Sequence, residues 1–495
     1  MKHFKLFINN EWVDSSSKQT FFSYNPASGD IVAELSQGTK EDVDKACNAA
    51  QVAFESCVWS RLTPYKRLDY ITRAADILKR RFEEFAIIES YDTGKPIRET
   101  RMVDIPISIK ALEYHARIAL SIKGDTIPLE DTNRFDYTTY EPLGVVGIIS
   151  PWNYPLHLLT RAVAPALAAG NCVVAKASSL TPVTSQMMGE VFLEAGFPAG
   201  VVNIISGPGN EVGEAILANP YVKAVSFTGS EEVGRNLMKQ SSEAPIIKKL
   251  ILELGGKGAF IAHKDCNIDG AIKSIMKGFI SNMGEVCCAS TRLFVHEDIY
   301  DVFMNELVKR TEGLKIGNPM DEDTMIGAII SSKQVEVIDN YVKSGIAEGA
   351  TLLYGGERMI LPAPLEKGNF YKPTILTDVT MDMKCVKEEI FGPVLVVFKY
   401  SSIDDVIKKA NATNFGLGAS VWSENPRTLI KIAESLDAGT VWMNDSTSSQ
   451  IEAPFGGNKN SGIGRENGLI GLLEYMKIKN HIWYVGDKYD DYFGA

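Results

Sequence analysis

The chain has 495 residues, too many for one hydrophobic core, so two or more domains are expected. Hydrophobic residues make up 45% and charged residues 23%, an ordinary globular composition, and a net charge of −11 leaves no basic surplus for a nucleic-acid partner. Seven cysteines without a repeating spacing argue for free thiols, the first ten residues lack the apolar run of a signal peptide, and no apolar stretch nears the roughly 20 residues of a membrane span; a cytoplasmic protein without membrane contact is expected.

Residues 65 to 92 read as one amphipathic helix. Leu68, Ile71, Ala75, Leu78, Phe82 and Phe85 recur at three- and four-residue steps, and Gly94, Lys95 and Pro96 stop the pattern. The polar segment Asp125 to Tyr140, with Phe135, Tyr137 and Tyr140, reads as an inserted hairpin. From Val145 short apolar strands alternate with helices. Strands are predicted at Val145–Ile149, Cys172–Lys176, Val201–Ile205, Ala224–Thr228 and Leu250–Leu254. Helices are predicted at Leu156–Ala169 and Val183–Ala195, with helical segments near Gly213–Leu217 and Gly234–Ser241. This alternation implies a parallel sheet covered on both faces, with ligands bound beyond the carboxyl ends of its strands. Asn153, Lys176, Gly207 and Gly229 all fall at that edge. A second α/β region runs from Leu254 to about Trp442. The strand-like stretch Met476 to Val485 could pair with the hairpin edge, and such edges also recruit other subunits.

Two short runs carry chemistry. In one, Glu253 lies between Leu252 and the Leu254, Gly255, Gly256, Lys257 run; in the other, Cys287 follows Gly284, Glu285 and Val286. A thiol is a nucleophile and a partly buried carboxylate is a base for water. Gly229, Ser230 and Gly234 form a glycine turn between a strand and a helix, where phosphate is cradled. By itself that spacing is weak, since it is neither a Walker loop nor the usual dinucleotide fingerprint. Gly207, Gly209 and Gly213 form a second such turn.

These motifs resemble the aldehyde dehydrogenase superfamily, in its hydrolytic, non-acylating branch, over nearly the whole chain. The resemblance rests on Pro151–Pro155, Phe227–Ser230, Leu252–Lys257, Gly284–Cys287, Glu388–Pro393, Pro454–Gly457 and Ser461–Arg465, in that order. Glu285 stands where many members carry Gln. The likeness implies an α/β fold of three parts. Residues 1–122 and 142–251 would form a Rossmann-type dinucleotide-binding domain. Residues 252–445 would form an α/β catalytic domain with the nucleophilic cysteine. Residues 123–141 and 473–495 would form a small β oligomerisation element, implying a homodimer or homotetramer.

The same likeness implies oxidation of a small-molecule aldehyde to the acid with NAD+ or NADP+. Cys287 would attack, Asn153 and the Cys287 N–H would hold the oxyanion, and Glu253 would activate water against the thioester. Asn153 read alone is equally a helix cap. Cofactor contacts would come from Ile149, Ser150, Pro151, Trp152, Lys176, Ser178, Ser179, Gly209, Gly213, Phe227, Gly229, Ser230, Val233, Gly234, Leu254, Glu389 and Phe391. No metal is implied. Ser179 replaces the glutamate that many NAD-preferring relatives place there, which opens the site to NADP+. Tyr154, His157, Arg161 and Phe455 would line the substrate tunnel, with His157 a wall and not a proton shuttle. Arg161 stands where relatives carry an aromatic. It could meet a substrate carboxylate, as in semialdehyde oxidisers, or pair with an acid outside the tunnel. Cys288 is expected to point elsewhere as a structural thiol, and Cys172, Cys266 and Cys385 to be buried hydrophobes.

Three other functions are weighed. A CoA-acylating enzyme is disfavoured by Glu253. A betaine aldehyde specialist is disfavoured because no aromatic lies between Asp445 and Glu452. A non-catalytic structural protein on the same fold has no need to keep Cys287, Glu253 and Asn153 together.

Overall fold

The computed structural model describes residues 2–489 and 493–494. Residue 1 and residues 490–492 and 495, at the ends of the expected dinucleotide-binding and oligomerisation ranges, lie outside the described residues.

Two sheets, each with its own core, organise the chain. The first has eight strands. Its centre is parallel, in the order Lys249–Glu253, Val222–Thr228, Val145–Ile149, Cys172–Lys176, Val202–Ile205. Val145–Ile149 and Cys172–Lys176 are buried along their whole length, because helices cover both faces. Antiparallel strands flank this centre. Leu6–Ile8 and Glu11–Val13 extend one side, and Gly462–Ile463 pairs with Lys249–Glu253 on the other.

Register decides where the site forms. Ile149 lies opposite Lys176 and Phe227, and Thr228 opposite Glu253. The parallel strands therefore end together, and the loops leaving them all emerge at a single edge.

The second sheet has seven strands, in the order Thr351–Tyr354, Thr374–Thr377, Val394–Tyr400, Ser290–His296, Gly258–Ala262, Gly418–Trp422, Thr440–Met443. The chain passes from the first sheet to the second through Leu254–Lys257. Cys287 comes just before Ser290–His296, and Glu389–Phe391 just before Val394–Tyr400. The amino ends of these strands thus meet the carboxyl edge of the first sheet.

The strand Met476–Tyr484 pairs antiparallel with Arg134–Pro142 along its full length, and Thr126–Ile127 adds a third strand. The expected hairpin and its C-terminal partner therefore join within one chain. Ile478, Ile482 and Trp483 remain exposed there. A small sheet of Lys2–Phe4, Thr20–Tyr24 and Ile31–Ser36 has no counterpart in the sequence reading.

The single helix expected over 65–92 is two. Pro64–Arg80 and Phe82–Thr93 are separated at Arg81, which leaves helical geometry at ψ 16°. Its guanidinium meets Glu84 at 2.7 Å and Glu190 at 2.6 Å, so the break is pinned from a neighbouring helix. The apolar spacing runs unbroken across it, which is why periodicity alone joins the two. No helix among the described residues is long and apolar enough to cross a membrane.

Candidate active site

Two cavities meet at the junction of the sheets. The first, of about 240 Å³, is lined by Pro151, Trp152, Asn153, Thr228, Gly229, Ser230, Leu254, Gly255, Cys287, Gln334, Glu389 and Phe391. The second, of about 100 Å³, is walled by Tyr154, His157, Arg161, Cys287, Cys288 and Phe455 among others, with Asn153 at the junction.

The first cavity has features that suit a nucleotide. Trp152 and Phe391 meet edge to face at 5.2 Å. Phe391 is in the left-handed region at φ 56°, and Gln334 holds it there by donating to the carbonyls of Ile390 and Phe391 at 3.1 and 2.9 Å. Glu389 accepts from the Gly256 N–H at 2.8 Å, and burial pushes its carboxyl up to about 7. Ser230 caps the helix Glu231–Glu243, whose amino end opens toward the cavity. A side chain at 234 would come within 2.5 Å of Leu254 Cδ2, so Gly234 lets that helix lie against the cavity wall. An apolar slot, a carboxylate and a helix amino end fit a dinucleotide.

Other predicted cofactor residues lie outside this cavity, along the same edge. Ile149 and Lys176 converge on Gly213. Ser150 donates to the Lys176 carbonyl at 3.1 Å, Ser179 donates to the Gly207 carbonyl at 2.7 Å, and Ser178 accepts from the Leu180 N–H at 3.2 Å. Gly209 opens a wide turn ending at Gly213. Phe227 is in the core, beneath Gly229, and Val233 is exposed. Lys176 is buried, donates to the Ala177 carbonyl at 2.8 Å, and is brought down to about 8 by desolvation.

Glu253 is 2% exposed, and neither of its carboxyl oxygens has a hydrogen-bond partner. Burial, against the opposing pull of Arg161, raises its pKa well above the ordinary carboxylate range, and Glu466 and Cys287 add to the rise. A side chain at 456 would come within 2.8 Å of Glu253 Oε1, which explains the glycine there. Glu466 is buried and accepts from Ser226 Oγ at 2.9 Å.

Cys287 is a free thiol with its pKa raised, first by Cys288 beside it and then by burial. The expectation that Cys288 points elsewhere is corrected: it lines the same cavity as Cys287 and is the main influence on it. Both cysteines are in the turn that precedes the strand beginning at Ser290. Asn153 donates through Nδ2 to the Glu285 carbonyl at 2.9 Å, which ties it to the cysteine loop.

Arg161 is inside the second cavity. Its Nη2 donates to Thr228 Oγ1 at 3.1 Å, its guanidinium lies 5.7 Å from the Phe455 ring centre, and its Nε has no partner. Its charge acts on the buried Glu253 and Glu466 and opposes the rise of both carboxyl groups. His157 is buried and, by desolvation, drops to about 3, so it is neutral near pH 7.

The sequence reading missed the polar groups behind the cysteine loop: buried Glu89, Lys95, Asp104 and Asn282, and half-buried Glu99. Their visible signal is a cluster of charges between residues 89 and 104, with Lys95 in the loop between two helices.

A parallel sheet edge with a nucleotide slot, and a thiol where that slot meets a second cavity, define a nicotinamide-dinucleotide oxidoreductase. The aldehyde dehydrogenase family model matches residues 12–481. Similar proteins include an aldehyde dehydrogenase of Enchytraeus buchholzi, 42% identical over 96% of this chain and 94% of that one. Retinaldehyde dehydrogenase 3 of Homo sapiens is 42% identical over 99% of this chain and 94% of that one. The NAD+ complex of the Bacillus cereus aldehyde dehydrogenase superposes at a TM-score of 0.95, with 42% identity over 98% of this chain and 97% of that one. The chain belongs to the aldehyde dehydrogenase family, and it oxidises an aldehyde with NAD(P)+.

Proposed function

We propose that the oxidation runs through a thioester on Cys287. The observation that carries this is the placement of Asn153 and Cys287 on the wall of both cavities, with Glu253 buried nearby and unpartnered. Cys287 loses its proton and its sulfur bonds to the aldehyde carbon. The oxygen, now negative, is held by Asn153 Nδ2 and the Cys287 N–H. A dinucleotide in the adjoining cavity would supply the acceptor for the hydride that leaves that carbon, and a thioester remains on Cys287. Glu253 removes a proton from water, the hydroxide adds to the thioester, and the C–S bond breaks to give acid and thiol. The dinucleotide would be held by Trp152, Phe391, Glu389 and the Gly229–Ser230 turn at its nicotinamide end, and by Lys176, Ser178 and Ser179 toward the adenosine. With Ser179 in place of a carboxylate, both NAD+ and NADP+ are accepted.

Two separate hydrophobic cores support the division into domains. The first core carries the dinucleotide, the second the cysteine, and the small sheet around Met476–Tyr484 serves self-association through its exposed Ile478, Ile482 and Trp483. A reducing compartment, the cytoplasm, suits seven free thiols.

Arg161 favours a finer reading of the substrate. A guanidinium in the tunnel, with one nitrogen unpartnered, suits an aldehyde whose far end is a carboxylate. The same fixed charge opposes a trimethylammonium group. The test is a set of aldehydes of equal length ending in methyl, carboxylate or trimethylammonium, each with NAD+ and NADP+. The carboxylate should give the highest kcat/KM. Arg161→Met should cut that value roughly tenfold to hundredfold while sparing the methyl compound. Equal losses on all three would remove Arg161 from substrate recognition.

A further inference from the structure

The residues just before Cys287 bend unusually. Asn282, Met283 and Gly284 pass consecutively through the left-handed region, at φ 48°, 52° and 72°. Glycine adopts this region freely, so Asn282 and Met283 must be held there by their surroundings.

The holding groups can be named. The Asn282 N–H donates to Glu99 Oε2 at 2.8 Å. Asn282 Nδ2 donates to the carbonyls of Asn153 and Glu285 at 3.0 and 3.1 Å. The Asn153 carbonyl receives a second bond, from Lys95 Nζ at 2.9 Å. That ammonium also meets Asp104 at 2.6 Å and lies 3.8 Å from the centre of the Tyr154 ring. Both members of the Lys95–Asp104 pair are 0% exposed.

Lys95, Glu99 and Asp104 belong to one short segment. Its second half, Thr100–Asp104, is a single wide π-helical turn, a geometry found often near functional sites. None of the three lines either cavity. A fully buried ion pair is a poor way to stabilise a fold, since apolar residues of the same volume often serve as well. Here the pair supplies a fixed donor to the backbone of Asn153.

We propose that Lys95 and Glu99 are positioning residues for the oxyanion site. Lys95, held by Asp104, fixes the Asn153 carbonyl and so aims its side-chain amide. Glu99 fixes the left-handed turn that presents the Cys287 N–H and thiol. Burial pushes the Glu99 carboxyl up to about 7, and a carboxyl oxygen accepts from Asn282 in either protonation state. The inference rests on the roles given above to Asn153 and Cys287.

The test compares Glu99→Leu, which has no acceptor, with Glu99→Gln, whose amide oxygen can still accept. A third variant, Lys95→Met with Asp104→Leu, removes both charges together so that neither is left buried alone. Melting temperature, kcat, dinucleotide KM and the single-turnover rate of hydride transfer are measured for each. Glu99→Leu and the paired variant should lower kcat and the single-turnover rate roughly tenfold to hundredfold, as expected for a small misplacement of a reacting group. Dinucleotide KM should stay within about twofold in both, and Glu99→Gln should recover most of the rate. Parental kcat in folded Glu99→Leu, or a loss that Glu99→Gln does not recover, overturns the proposal. If Glu99→Leu does not fold, the paired variant decides: parental kcat overturns it, and a loss confined to kcat supports it. Asn153→Ala and Cys287→Ala run in the same assays. Activity in either would defeat the reading of the site itself and not only the brace behind it.

Discussion

Asn153 and Cys287 both line the nucleotide cavity and the smaller cavity beyond it, and no other described residue lines the two. Asn153 comes after a strand of the first sheet, and Cys287 precedes a strand of the second. The point where they meet is where a small molecule in one cavity could touch a nicotinamide in the other. The Asn153 amide already reaches the cysteine loop through the Glu285 carbonyl.

Cys287→Ala should bind dinucleotide normally and lose turnover. Cys288→Ala should keep most of it, and because the Cys288 thiol is the largest influence raising Cys287, its removal should ease ionisation. Alkylation of Cys287 by iodoacetamide should therefore reach its half-maximal rate at a lower pH in Cys288→Ala than in the parent. An unchanged profile would show that the neighbouring thiol does not govern Cys287.

Glu253→Gln should separate the two halves of the reaction. A burst of reduced dinucleotide should be followed by a slow steady state, with the acyl group found on Cys287 by mass spectrometry. In the parent, burial raises the pKa of Glu253, and the Cys288 thiol together with burial raises that of Cys287. Their reactive forms are the deprotonated ones, so kcat/KM should climb with pH on the alkaline side of neutrality. Parental steady-state turnover in Glu253→Gln would assign the base elsewhere.

Ser179 bears on the choice of dinucleotide. Its hydroxyl donates to the Gly207 carbonyl, so any attraction for a 2′-phosphate must come chiefly from Lys176 and from the missing carboxylate repulsion. Ser179→Glu should shift the ratio of kcat/KM toward NAD+ by on the order of 1 kcal/mol or more. Lys176 loses its proton near pH 8, so NADP+ should bind more weakly above that pH, and NAD+ should be affected less. A parent blind to NADP+, or an unchanged ratio in Ser179→Glu, would end this account.

Buried acids should make stability fall as pH rises. Desolvation pushes Glu89 up to about 8 and Asp92 to about 7. Between their unfolded values near 4 and these folded values, the folded chain holds more protons than the unfolded one, so ΔG of unfolding declines with pH. The contribution is complete below about pH 4 and lost by about pH 8. Asp92 accepts from Ser23 Oγ through Oδ1 and from the Val183 N–H through Oδ2 at 3.0 Å; an Asn keeps the Val183 bond through its oxygen and can donate its amide to the Ser23 hydroxyl. Asp92→Asn should accordingly flatten the decline in melting temperature from mildly acidic to mildly alkaline pH. A parent equally stable at both ends would contradict the sign.

Features whose information is local were legible in the chain alone. Val145–Ile149 and Cys172–Lys176 could be read to the residue, because a strand buried on both faces must be apolar throughout. Cys287 and Glu253 stood out because a thiol and an acid in runs with glycine are poor core residues, and Asn153 because it lies between two prolines just past a strand end. The family likeness rested on those same runs. Features that depend on neighbours distant in the chain emerged from packing. The break at Arg81 is made by Glu190, more than a hundred residues on. Whether Arg161 faces the tunnel depended on how its helix rolls against Thr228 and Phe455. The left-handed turn before Cys287 is held by Glu99 and Asn153, and nothing in the local run of Asn282, Met283 and Gly284 compels it. Strand and helix patterns are set by nearest neighbours and solvent. The direction of a single side chain, and the strain a loop will bear, are set by whichever distant groups pack against it.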